Sequence, residues 1–93
     1  MSEAPAAGKP AIAVALEYEI GKDAAPRVTA SGRGLVAEKI IETARQHGVA
    51  IEGNPILAEA LAGVAVDDQI PEELYRAVAE VIGFVLRAAG KLR

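Results

Sequence analysis

Few side chains in this sequence are of types that do chemistry. There is one histidine, no cysteine, and serine at positions 2 and 31. His47 falls in the last turn of a helical segment, where a partly positive imidazole suits the carbonyl end of the dipole. A zinc site takes three or four ligands at recognisable spacing. A single histidine without cysteine does not supply them, and the nearby carboxylates follow no metal-loop pattern, so no metal is expected. Neither Ser2 nor Ser31 stands in the sharp strand-to-helix turn of a hydrolase nucleophile. The stretch Gly32-x-Gly34-x-x-Ala37 has more content. It follows a strand-like run and opens a helix, and Glu52 falls at the end of the next apolar run. That is the outline of a dinucleotide fingerprint: glycines for backbone approach, a helix N-terminus for pyrophosphate, an acid for ribose. The same residues also read as a tight turn, with Ala37 allowing close packing. Ninety-three residues do not build both halves of a doubly wound sheet.

The elements that must position these groups are legible from periodicity. Residues 11–18 alternate, with Ile12, Val14, Leu16 and Tyr18 on one face and Ala11, Ala13, Ala15 and Glu17 on the other. Strict alternation predicts a strand. Its bulky face points to a core; its alanine face lets a helix approach closely or stays partly exposed. Residues 20–26 read as a turn and 27–31 as a second strand, with Val28 and Ala30 inward. A helix is expected over 35–47, burying Val36, Ile40, Ala44 and His47 with Ala37 and Ile41 beside them, and ending at Gly48. Residues 49–52 are expected as a strand, completing a right-handed β-α-β crossover. Asn54 and Pro55 read as N-cap and first residue of a short helix. A fourth short strand is expected at 64–66, and a long helix over 71–89.

That last helix carries two apolar stripes. Leu74, Val78, Val81, Val85 and Ala88 form one; Tyr75, Ala79, Ile82 and Leu86 form the other. A narrow polar stripe holds Glu73, Arg76, Glu80 and Arg87, with Gly83 in line. One stripe docks a surface helix; the second needs a local element or a partner to cover it.

Composition bounds the rest. The chain is 52% hydrophobic and 25% charged, with two tyrosines, one phenylalanine and no tryptophan. The mean hydropathy is +0.24. Such a chain buries enough surface to fold as one small domain, with little aromatic bulk. A net charge of −3 gives no basic stripe for nucleic acid. No apolar run approaches the roughly 20 residues of a membrane span. The absence of cysteine excludes disulfides and iron–sulfur sites and suits a reducing compartment. Residues 1–10 read as a flexible leader, 11–90 as the domain and 91–93 as a basic tail. No cofactor is expected, and no heptad seam predicts oligomerisation, so the expectation is a cytoplasmic monomer.

In order and spacing, four stretches resemble the cytoplasmic C-terminal domain of the FlhB/YscU family, the substrate-specificity switch of flagellar and type III export gates. They are AVALEY at 13–18, APRVTASGRGLVAEKI at 25–40, HGVAIEGNPILAEAL at 47–61 and DDQIPEELYRAVAEVIGFV at 67–85. The resemblance covers roughly residues 11–89. It implies a compact α/β domain with a small mixed sheet of four strands wrapped by three to four helices. It also implies protein partners: export substrates or components of the gate at the inner membrane.

One departure matters. Family members cleave themselves between the Asn and Pro of an Asn-Pro-Thr-His motif, the Asn amide attacking its own carbonyl to form a cyclic imide. Aligned on AVALEY, that motif falls on Gly8, Lys9, Pro10 and Ala11, and no asparagine is present. Asn54-Pro55 is explained as a helix cap. The resemblance therefore implies a free-standing, uncleaved relative. The family's apolar recognition patch falls on Ala25, Pro26, Ala79 and Ile82. The last two lie on the stripe left without a core.

Overall fold

The computed structural model describes residues 11–19, 25–88 and 90. The leader, residues 20–24, Ala89 and the tail lie outside the described residues.

Alternation along the first apolar run produces β1 (Ile12–Glu17), which pairs antiparallel with β2 (Arg27–Arg33). The register runs from Ile12 opposite Arg33 to Glu17 opposite Arg27 and breaks once. Ala15 faces Ala30, but Leu16 faces Val28, so Thr29 is the extra residue of a bulge. Its hydroxyl donates to the Ala15 carbonyl at 3.3 Å. The bulge corrects the expectation that Val28 and Ala30 share an inward face. Val28 turns to the side of Leu16 and becomes fully buried, whereas Ala30 turns to the side of Ala15 and is half-buried.

The hairpin is covered on both faces. Val28, Leu57, Leu61, Ile70 and Val78 form the core cluster, with Val14, Leu16, Leu74 and Val81 packed against it. Leu57 and Leu61 come from α2 (Pro55–Leu61) and Val78 from α3 (Tyr75–Ala88). Burying valines such as Val28 and Val78 stabilises by about 1.5–3 kcal/mol each. On the opposite face, α1 (Leu35–Gln46) packs on both strands. There Ala13 and Ala37 are buried outside the main cluster. Small side chains let this helix lie close.

The frame of α1 differs from the periodicity reading by one position. Its inner residues are Ala37, Ile40, Ile41 and Ala44, whereas Val36 is 55% exposed and His47 is exposed. His47 is the C-cap, with a ring nitrogen 2.9 Å from the Thr43 carbonyl.

The expected four-stranded sheet is a correction: among the described residues the sheet has two strands. Residues 49–52 form no strand, Val49 and Ile51 stand 56% and 45% exposed, and no parallel crossover exists. The expected strand at 64–66 is likewise absent. A few residues later the chain clips onto the outer edge of β2 instead. The Val28 amide donates to Asp68, Asp67 to Val28 at 2.6 Å, and Ile70 to Pro26. Only Gln69, opposite Arg27, forms a bridge. Asp67 has φ 79°, a left-handed conformation that aspartate tolerates better than branched residues. This clip protects the edge and drives Ile70 into the core.

Candidate interaction site

Two sets of residues need placing: the glycine turn and the patch. Gly32 and Gly34 join β2 to α1. A Cβ on Gly32 would overlap the Val36 side chain, and Gly34 has φ +60°. Both glycines are therefore explained by local sterics. The Gly34 amide donates to the Ala11 carbonyl at 2.8 Å, so this donor of the turn is already used. Glu52 ends no strand. The fingerprint outline is thus a turn, and the nucleotide reading loses its β-α-β frame.

Asn54 behaves as its position suggests. Its side-chain oxygen accepts from the Leu57 amide at 3.1 Å, and its carbonyl accepts from Ala58 at 2.9 Å. The Asn54-Pro55 bond is held in the first turn of α2. Of the positions aligned with the cleavage motif, Gly8, Lys9 and Pro10 lie outside the described residues, as does Ser2. Ala11 is half-buried at the start of the hairpin.

The patch residues divide. Ala25 and Ile82 both pack against the core cluster and are half-buried. Pro26 is half-buried, and Ala79 is exposed. Of the two coverings the second stripe called for, a local element or a partner, Ile82 has the first. Tyr75, 46% exposed, and Ala79 remain uncovered.

Beside them the outer face of α3 forms a shallow groove lined by Tyr75, Arg76, Ala79, Glu80, Gly83 and Arg87. The guanidinium of Arg87 folds back over Gly83, and a Cβ there would meet its nitrogen at 3.3 Å. In the sequence Arg76, Glu80, Gly83 and Arg87 read as the narrow polar stripe, and Tyr75 and Ala79 as part of the second apolar one. The signal for a groove was Gly83, a residue costly inside a helix. Phe84 is 54% exposed on the flank of this face. Among the described residues no cluster of potential metal ligands occurs, and no helix is long and apolar enough to cross a membrane.

Residues 10–85 match the FlhB HrpN YscU SpaS Family. The chain is 49% identical over 75 residues to the uncharacterized protein YlqH of Bacillus subtilis, covering 81% of each. It is 43% identical over 76 residues to the flagellar biosynthetic protein FlhB of Aquifex aeolicus, covering 81% of this chain but 22% of that protein. It thus spans about a fifth of this FlhB's length. The crystal structure of the cytoplasmic domain of FlhB from Shewanella putrefaciens superposes with a TM-score of 0.75 at 45% identity, covering 81% of this chain and 61% of that one. The chain belongs to the FlhB/YscU family of flagellar and type III protein export, and its fold is that of the family's cytoplasmic C-terminal domains.

Proposed function

We propose that this chain is a non-enzymatic interaction domain of a flagellar or related export apparatus, cytoplasmic and peripheral at the inner-membrane gate. It binds export substrates or gate components through Ala25, Pro26, Ala79 and Ile82. The observation that carries this reading is the packing of Ala25 and Ile82 on one core cluster, within a domain of this family. The contact is weak, because association costs several kcal/mol before apolar gain shows. The domain acts as a monomer in dilute solution, which sedimentation checks. The test is titration with a purified flagellar hook subunit, read by amide shifts. Signals of Ala25 and of residues 79–82 should move, and Ala79→Asp, at an exposed position, should suppress them. Unchanged binding by that folded variant would refute the patch.

The domain does not cleave itself. The imide route needs an asparagine at position 8, where glycine stands. The capping hydrogen bond of Asn54 supports the same conclusion for Asn54-Pro55. Protein aged near neutral pH should keep its intact mass; a fragment beginning at Lys9 or Pro55 would overturn this.

A further inference from the structure

The groove on the outer face of α3 is unexplained by the patch, with which it shares only Ala79. Arg76, Glu80, Gly83 and Arg87 recur at four-, three- and four-residue steps, which places them in one line along the helix. The two described ion pairs are Arg27–Glu17 and Arg33–Glu59, so among the described residues neither Arg76 nor Arg87 is paired with a carboxylate. Gly83 carries no side chain and the Arg87 guanidinium folds over it, with Tyr75 at one end. The molecule as a whole is acidic, but residues 81–93 carry Arg87, Lys91 and Arg93 and no acidic side chain.

We infer that this groove binds an extended acidic peptide segment, two carboxylates engaging Arg76 and Arg87 while a small apolar side chain lies over Ala79 between them. The spacing sets the register. Eleven residues of helix separate the two arginines by about 16 Å. An extended chain returns side chains to one face at every second residue, so carboxylates four residues apart, about 13 Å at roughly 3.3 Å each, suit the two arginines, Arg87 being folded back toward Gly83. Guanidinium groups suit this task because each presents a planar fork to a carboxylate. Glu80, between them, disfavours a uniformly acidic run and accepts a backbone amide or a basic side chain of the peptide. The inference rests on the proposed function only in taking the partner to be a polypeptide.

The probe is the hexapeptide Asp-Ser-Ala-Ser-Asp-Ser, blocked at both ends, which puts both aspartates and the alanine on one face, titrated into the full chain at low salt. Amide shifts should be confined to residues 75–87. Replacing both aspartates by asparagine should weaken binding about fivefold or more, the scale of one to two exposed charge pairs. Arg76→Ala and Arg87→Ala, checked for fold by circular dichroism, should each weaken it. Gly83→Ala should do the same by displacing the Arg87 guanidinium from its folded position while favouring the helix. Equal binding of the asparagine peptide, or indifference to both arginine variants, would overturn the inference. So would phosphatidylglycerol vesicles moving these amides where the peptide does not. Ala79→Asp separates the two readings. If it suppresses hook-subunit binding while the hexapeptide fails to bind the unmodified chain, the groove falls alone. If it has no effect on hook-subunit binding while the hexapeptide binds the unmodified chain, the patch falls alone.

Discussion

At the scale of single residues, small side chains decide how the pieces meet. Gly32 has no room for a methyl group because Val36 occupies the space. Valine is stiff at χ1 and cannot swing aside cheaply. Gly32→Ala should therefore destabilise by about 1–3 kcal/mol, as overpacking usually does, measurable by urea denaturation. A nucleotide-binding glycine would instead have tolerated alanine in the free protein. Ile82 and Ala79 make a second contrast. Ile82 packs against the core, so Ile82→Asp should lower stability by about 1–3 kcal/mol through partial burial of a charge. Ala79 is exposed, and Ala79→Asp should stay within about 0.5 kcal/mol. Only the second variant isolates binding from folding. Thermal melts of the two proteins check this.

At the scale of elements, α3 holds a glycine where alanine would be the better helix former. Gly83 is half-buried, and the far end of a flexible arginine lies above it. Arg87 gives way at little cost, so Gly83→Ala should stabilise by up to about 1 kcal/mol; a fall in melting temperature would mean the site is tighter than described. The helices were legible in the sequence for reasons that hold locally. Asn54 and Pro55 announced α2, and alternation announced β1. The misreadings have a common cause. Apolar residues at 49–51 and 64–66 carry strand-like composition, but a strand exists only where a partner edge is in reach. The edge of β2 beside Arg27 is taken by Asp67–Ile70, a segment whose Asp and Gln look like an ordinary turn. The bulge at Thr29 was equally invisible, since one extra residue leaves no compositional mark. For the candidate site, Ala79 stood out by its stripe. The packing of Ile82 on a cluster that includes Val28, Leu57 and Ile70 from other segments depends on the tertiary fold, and periodicity alone could not show that.

At the scale of the whole molecule, the hairpin is lined by small residues on one side and by the larger aliphatic core on the other. The first half of the chain contributes Val14, Leu16 and Val28 to that core, and the second half contributes Leu57, Leu61, Ile70 and Val78. Neither half owns it. The two are joined covalently through the exposed segment 49–53, in which Ala50, Ile51, Glu52 and Gly53 make no backbone hydrogen bond among the described residues. They are joined again through space, by the bonds from Asp67, Asp68 and Ile70 to the edge of β2 and by the ion pair of Arg33 with Glu59 at 3.2 Å. A protease that cuts within 49–53 should thus leave a two-piece complex that co-elutes as one species under native conditions. Melting would then become bimolecular, its midpoint falling on dilution where that of the intact chain does not. The exposed connector makes this domain a natural split protein, whose fragments, produced separately, should reassemble on mixing and report their own association.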